Sequence, residues 1–196
     1  MVLYINACVR KESRTDELAK EVLGCIGESY IERKLSDEPI FTLSEKRLEH
    51  RTEQITKGDY SDAIFDYAKE FASADTIVIS APFWDLSFPT LLKMYIENIY
   101  VTGIVSKYGA DGKPQGLCRA DKLFYVTTAG GPYDSQYSYD YIRELCISYF
   151  GIKNVQLVKA EMMDIVGNDV TQIMMNAKQK IHLDITAKTK EQDSTC

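Results

Sequence analysis

The segment at residues 7–15, which we call the first turn, carries side chains suited to binding an anion. Ser13, Arg14 and Thr15 stand where a predicted helix begins, and free backbone N–H groups and the helix dipole attract negative charge there. Arg10 adds a guanidinium that could pair with a phosphate. A plain helix cap by Ser13 or Thr15 beside exposed basic residues explains the same pattern, so both interpretations stay open at this point.

A second segment, residues 82–89, concentrates aromatic side chains after an apolar run, and we call it the aromatic turn. Phe83, Trp84 and Phe88 are costly to expose to water. They would offer flat apolar walls to an aromatic ring, with Asp85 or a backbone amide at its polar edge. Packing beneath the loop or at a subunit interface is the alternative, and the sequence does not decide between them.

A third segment, residues 127–133, contains the pair Gly130-Gly131, and we call it the glycine turn. Paired glycines let the backbone approach a ligand closely or adopt positive φ. An ordinary turn between a strand and a loop has the same composition, so this segment supports a ligand site only together with the other two.

Other catalytic constellations are absent from the sequence. His50 and His182 lie in charged, helical segments away from the three turns, which predicts surface positions. There is no G-x-S-x-G elbow, H-E-x-x-H motif, P-loop or G-x-G-x-x-G fingerprint. The five cysteines are scattered without a C-x-x-C pair, so we expect no metal site, no disulfide framework and a reducing, cytoplasmic setting.

The elements that must position these turns alternate along the chain. Short apolar runs predict strands, and apolar residues at every third or fourth position predict helices. Strands are expected at 2–7, 30–35, 76–80, 123–127 and 155–160, and helical stripes at 14–26, 44–55, 63–71, 89–99, 142–149 and 170–181. This alternation predicts a flavodoxin-like α/β fold, a doubly wound five-stranded parallel sheet of order 2-1-3-4-5 with helices on both faces.

Ligands bind such sheets beyond the carboxyl ends of the strands, at the switch between strands 1 and 3. The first, aromatic and glycine turns all follow strands at that edge. We therefore expect the three turns to converge on one site.

The composition fits a single globular domain of 196 residues, with 45% hydrophobic and 27% charged residues. A formal net charge of −6 argues against nucleic-acid binding, which needs a basic face. No apolar run reaches the roughly 20 residues of a membrane span, and no basic segment of a signal peptide precedes the first strand. We expect one domain over residues 1–188 and a disordered tail over residues 189–196.

Together the turns resemble the family of FMN-dependent NADH:quinone oxidoreductases and azoreductases. The stretch Pro82-Phe-Trp-Asp-Leu-Ser-Phe-Pro89 is similar to the family's Pro-Met-Tyr-Asn-Phe-x-x-Pro turn, and a Leu-Lys helix follows it. Thr102-Gly103, then Tyr108-Gly-Ala-Asp-Gly112 and Gly116-Leu117, also resemble the family's loop, and Gly130-Gly131 resembles its Gly-Gly turn. Asp85 replaces the usual Asn, so an amide donor is lost, and Trp84 and Leu86 replace Tyr and Phe.

The resemblance implies which residues bind the cofactor. They are Arg10, Ser13, Arg14 and Thr15 at the FMN phosphate, Phe83, Trp84, Asp85 and Leu86 along the isoalloxazine, Thr128, Gly130 and Gly131 at its pyrimidine side, and Pro82 and Tyr133 in the same turns. It also implies a homodimer, with the aromatic-rich stretch from Tyr95 to Tyr108 contributing to the interface.

The implied activity is ping-pong hydride transfer from NADH or NADPH, through FMN, to a small aromatic acceptor such as a quinone or azo compound. No protein nucleophile is then needed, because the cofactor carries the reactive atom. Three alternatives stay open: a flavodoxin-like electron carrier, a flavin reductase that releases FMN, and a non-enzymatic interaction protein that retains the fold.

Overall fold

The computed structural model describes residues 1–193, with side chains described through residue 185. Within these residues the structure has seven strands and six α-helices. They are β1 Val2–Asn6, α1 Arg14–Ile26, β2 Tyr30–Lys34, α2 Glu45–Lys57, α3 Asp66–Ser73, β3 Thr76–Ser80, α4 Thr90–Ile99, β4 Ser106–Tyr108, β5 Pro114–Gly116, β6 Lys122–Thr128, α5 Tyr139–Glu144, β7 Asn154–Ala160 and α6 Val170–Asp193. None of the described helices is both long and apolar enough to cross a membrane.

Five parallel strands form the main sheet in the order β2-β1-β3-β6-β7. This confirms the predicted order, since β6 and β7 are the fourth and fifth strands of this sheet. The central strands are apolar on both faces because helices cover each side. Leu3, Ile77 and Leu123 face one core, whereas Tyr4, Val78 and Phe124 face the other.

Helix α1 starts at the first turn and ends at Gly27, whose φ of 73° closes the helix in the left-handed region. Leu18, Ala19, Val22 and Leu23 form its buried face against the second core. Helix α6 packs beside it on the same face of the sheet. The start of α1 is thereby fixed next to the ends of β1 and β3.

Several elements differ from the sequence prediction. The stripe at 142–149 belongs to the short helix α5 and then to a π-helical segment, Leu145–Phe150. An antiparallel hairpin, β4–β5, was not predicted.

The aromatic-rich stretch from Tyr95 to Tyr108, expected at a subunit interface, is divided between core and surface. Tyr95 is fully buried in the core, so it cannot contact a partner, whereas Tyr108 at the other end of the stretch is exposed.

The carboxyl-terminal helix is also longer than the apolar stripe that predicted it. Helix α6 extends to Asp193, so residues 189–193, expected in the disordered tail, are helical. The residues between 182 and 193 contain neither Gly nor Pro, so nothing in the chain stops the helix there. The last three residues of the expected tail, 194–196, lie outside the described residues.

Candidate functional site

The three turns converge at the carboxyl edge of the sheet, as predicted. Backbone hydrogen bonds extend the ladder past the strand ends: Ala7 N donates to Ser80 O over 2.9 Å, and Phe83 N donates to Thr128 O over 3.0 Å. The first turn is thus held beside the end of β3, and the aromatic turn beside the end of β6. The convergence therefore follows from the strand order.

A cavity of about 370 Å³ lies between these turns, within the size range of small-molecule sites. Its predicted lining residues are Arg10, Ser13, Arg14, Thr15, Pro82, Phe83, Trp84, Thr128 and Gly130. Its unpredicted lining residues are Val9, Glu12, Ala129, Met163 and Asp164. A larger cavity of about 660 Å³ lies between α2 and the end of β2, and none of the three turns lines it, so it is not at the switch between strands 1 and 3 where ligands of this fold bind.

The first turn presents hydrogen-bond donors to the cavity. Ser13 is the N-cap of α1, and its Oγ accepts from Asp16 N over 3.3 Å. The N–H groups of the first helical turn lack intrahelical acceptors, so those left free can bind an anion. Thr15 is buried, and its Oγ1 lies 2.6 Å from Thr128 Oγ1. This contact joins the first turn to the glycine turn at the floor of the cavity.

A buried polar network lies beneath the first turn. Tyr4 donates from its hydroxyl to Asp16 Oδ1 over 2.5 Å, and Asn6 Nδ2 donates to the same oxygen over 3.0 Å. Burial, and then the hydrogen bond to Asp16, raise the pKa of Tyr4 far above its ordinary value. Lys20 binds the other Asp16 oxygen at 2.8 Å. The Asp16 carboxylate is therefore held by this network, although it lies in the first turn of α1.

Cys8 also belongs to this buried layer. Its Sγ lies 3.5 Å from Ser80 Oγ, and its backbone N–H donates to Asn6 Oδ1 over 3.0 Å. Burial raises the pKa of the Cys8 thiol, so the thiol stays protonated at neutral pH. Neither Tyr4 nor Cys8 is thus poised to act as an acid, base or nucleophile in the cavity.

Arg14 reaches across the cavity mouth toward the segment that follows β7. Its Nη1 lies 3.4 Å from Asp164 Oδ1 and 3.7 Å from Met163 Sδ. Asp164 also covers Gly130: a Cβ added at Gly130 would lie 2.2 Å from Asp164 Oδ2. The absence of a side chain at Gly130 therefore lets this carboxylate approach the glycine turn.

Asp164 and Met163 are site residues that sequence reasoning missed. They follow the carboxyl end of β7, the strand next to β6. The same edge rule that identified the other turns applies to this strand. The polar residue Asp164, four positions after Ala160, was the available signal.

The tip of the aromatic turn is a two-residue reversal with left-handed backbone. Trp84 N donates to Ser87 O over 3.0 Å, and Ser87 N donates to Trp84 O over 2.8 Å. Asp85 and Leu86 between them have φ of 50° and 66°, the pattern of a type I′ turn. Aspartate tolerates this region, whereas leucine rarely adopts it, and such strain is concentrated at functional sites.

Four predicted site residues are not in the cavity lining. Asp85 and Leu86 lie exposed at the tip of the aromatic turn, with Leu86 62% exposed. Tyr133 packs edge-on against Phe83, with ring centroids 4.9 Å apart, and so supports a lining residue from behind. Gly131 accepts at its carbonyl from Met162 N over 3.0 Å. Their contact with a ligand stays a prediction.

Comparison with known proteins adds to this geometry. A family model described as flavodoxin-like fold matches residues 1–184. The chain is 36% identical over 195 residues to FMN-dependent NADH:quinone oxidoreductase 2 of Clostridium acetobutylicum, covering 91% of this chain and 94% of that one. It is 34% identical over 185 residues to an FMN-dependent NADH:quinone oxidoreductase of Clostridium perfringens, covering 87% and 90%.

Solved structures of similar shape agree on the fold. An azoreductase from Bacillus anthracis superimposes with a TM-score of 0.79 at 20% identity, over 94% of this chain and 97% of that one. An FMN-dependent NADH-azoreductase from Bacillus anthracis, solved in complex with FMN, gives a TM-score of 0.78 at 22% identity, over 95% and 97%. At these identities the likeness concerns the fold alone.

Proposed function

The chain belongs to the flavodoxin-like fold family that matches its residues 1–184, and on this premise we propose that it is an FMN-dependent NAD(P)H oxidoreductase that reduces quinones, azo compounds or related aromatic acceptors. The relatives' names support this activity. The main supporting observation is that the start of α1, which suits an anion, the aromatic side chains and the glycine turn all line one cavity.

The residues present fit FMN. The start of α1, with the Ser13 cap and the Thr15 hydroxyl, suits a phosphate. Phe83 and Trp84 line the same cavity and suit an aromatic ring system. Gly130 allows the backbone of the glycine turn to approach the ligand closely.

FMN supplies, when bound, the hydride-accepting and hydride-donating chemistry. The chain's own residues then bind and orient. Arg10 and Arg14 neutralise the phosphate, Thr15 holds it by a hydrogen bond, and Trp84 forms a wall for the flat substrate. NADH or NADPH and the acceptor use one cavity in turn, which gives ping-pong kinetics, because the oxidised nicotinamide, NAD⁺ or NADP⁺, leaves before the acceptor enters.

We further propose a cytoplasmic homodimer. The free thiols of the described cysteines, Cys8, Cys25, Cys118 and Cys146, suit a reducing compartment. Trp84, Leu86 and Tyr137 are exposed around the aromatic turn and offer an apolar surface to a second copy. Light scattering coupled to size exclusion measures the mass of the assembly, and a monomer at micromolar concentration would contradict the dimer.

Steady-state oxidation of NADH by the flavin-loaded protein tests the activity. We expect rapid turnover with a quinone, parallel lines in double-reciprocal plots, and rates on an aliphatic ketone lower by orders of magnitude. A protein that keeps its flavin without turning over NADH would be an electron carrier. One that loses flavin during turnover would be a flavin reductase, and one that binds no added FMN would be an interaction protein.

Trp84→Ala tests the aromatic wall. Loss of one aromatic contact, worth about 0.5–1.5 kcal/mol, should raise the KM for quinone by about 2- to 13-fold. Phe41→Ala is the matched control, because Phe41 is an exposed aromatic residue that lines the cavity beside α2 instead. Equal effects of the two substitutions on KM would contradict the assignment of Trp84.

A further inference from the structure

The outer surfaces of α1 and α6 are joined by a row of polar side chains away from the cavity. Lys178 Nζ lies 2.7 Å from Glu17 Oε1, and one turn further along both helices His182 Nε2 lies 2.6 Å from Glu21 Oε1. Cys25 follows Glu21 by four positions, so both side chains lie on the same side of α1. The row therefore ends in a carboxylate, a thiol and an imidazole.

These last three groups are close together in space. Ligand atoms of Glu21, Cys25 and His182 all lie within 4.8 Å of one another, the one such group of three found among the described residues. Cys25 Sγ lies 3.3 Å from His182 Nδ1. Glu21 and Cys25 are half-buried and His182 is exposed, so an ion can enter from solvent.

We propose that Glu21, Cys25 and His182 bind a divalent zinc-type ion that bridges α1 and α6, with water as the fourth ligand. Thiolate, imidazole and carboxylate are all zinc ligands, whereas Mg²⁺ and Ca²⁺ prefer oxygen alone. Zinc bonds of about 2.0–2.3 Å place tetrahedral ligand atoms roughly 3.3–3.7 Å apart. The 3.3 Å between Cys25 Sγ and His182 Nδ1 matches that spacing, whereas the 2.6 Å between His182 Nε2 and Glu21 Oε1 is a hydrogen bond that ion binding would replace.

The imidazole of this group has room to rearrange around an ion. His182 now lies between the thiol and the carboxylate, and its side chain is 57% exposed, so it can turn to another rotamer and make room. Lys178 has its shorter ion pair with Glu17, at 2.7 Å, and a longer contact with Glu21 Oε2, at 4.0 Å, so ion binding at Glu21 leaves Lys178 its pairing with Glu17.

The proposal departs from the expectation that the protein has no metal site. His182 is 157 residues from Cys25 in the chain, so no local spacing motif links them. Only the packing of α6 against α1 brings the ligands together. The site is separate from the proposed FMN cavity, and its test does not depend on oxidoreductase activity.

Calorimetric titration of the flavin-loaded, chelator-stripped protein with Zn²⁺ tests the site. Cys196 lies outside the described residues, so a Cys196→Ser background keeps its thiol out of the measurement. We expect one ion per chain, and Cys25→Ser and His182→Gln should each weaken binding by more than about tenfold. His50→Gln is the matched control, since His50 pairs with Asp62 elsewhere, and it should leave the affinity unchanged.

Thiol alkylation followed by mass spectrometry gives a second readout that is independent of the variants' folding. Zn²⁺ should slow alkylation of Cys25 in the unaltered protein and leave that of Cys118 unchanged. Unchanged zinc affinity in both ligand variants, or alkylation of Cys25 at the same rate with and without Zn²⁺, would overturn the proposal.

Discussion

Thr15→Val removes one hydroxyl from the proposed phosphate site with little change in shape. Thr15 is 1% exposed at the start of α1, and valine keeps its branched side chain and fills the same space. The Thr15 hydroxyl lies 2.6 Å from that of Thr128. Losing that contact costs the apoprotein about 1 kcal/mol of stability, which a denaturant titration measures separately from binding.

The effect on FMN affinity follows from the charge of the phosphate. A hydrogen bond to a charged group contributes about 1.5–3 kcal/mol. At about 1.4 kcal/mol for each factor of ten, Thr15→Val should raise the dissociation constant for FMN by about 10- to 140-fold. Riboflavin has the same ring system without the phosphate, so its affinity should change by less than about twofold.

Titration of deflavinated protein, followed by quenching of flavin fluorescence, gives both affinities. Thr171→Val is the control, because Thr171 lies in the first turn of α6 and does not line this cavity. The reasoning is refuted if Thr15→Val weakens FMN and riboflavin equally, because Thr15 would then act through the fold rather than through the phosphate. It is also refuted if neither affinity changes.

Three more predictions, which use four substitutions, test other parts of the site and fold. Gly116→Ala should lower the free energy of unfolding by about 1–3 kcal/mol, because the new Cβ would lie 2.1 Å from a backbone nitrogen; Gly131→Ala, with no atom within 4 Å, should leave the denaturant midpoint unchanged. Asp85→Asn should raise the flavin midpoint potential by about 20 mV, for an exposed charge worth about 1 kcal/mol. Asp164→Asn should free Arg14 from its ion pair and lower the dissociation constant for FMN by about 2- to 5-fold, and this effect should be smaller at high salt.

Each of these has an outcome that contradicts it. Equal denaturant midpoints for Gly116→Ala and Gly131→Ala would show that the β4–β5 hairpin can shift away from Gly151 at no cost in stability. An unchanged potential in a redox titration would remove Asp85 from the flavin residues. Weaker FMN binding in Asp164→Asn would mean that the carboxylate positions Arg14 rather than competing with the phosphate.

The main sheet could be predicted because its strands carry strong local signals. Thr76–Ser80 is an apolar run that ends at a proline-containing turn, and the structure confirms its bounds without change. The hairpin of β4 and β5 could not be predicted, because each strand has three residues and is mostly exposed. The π-helical segment at Leu145–Phe150 was also missed, because its apolar stripe resembles that of an α-helix.

The cavity was predictable as far as strand order determines it. Ser13 and Thr15 could be identified from helix-start chemistry, and Phe83 from its place after a buried strand. Asp164 could not be identified from local pattern, because its importance comes from its distance to Arg14 and Gly130. The left-handed backbone at Leu86 was likewise unexpected, since leucine rarely adopts it.

The reversal at the tip of the aromatic turn has a consequence for the entropy of binding. Ordering one backbone residue costs about 1–2 kcal/mol, so ordering residues 84–87 costs about 4–8 kcal/mol in all. The two backbone hydrogen bonds that order these residues join Trp84 to Ser87 within the turn itself, so they form as the chain folds. Folding therefore orders the turn before a ligand binds. A ligand that contacts the turn does not have to order it, so its binding free energy is not reduced by this entropy cost.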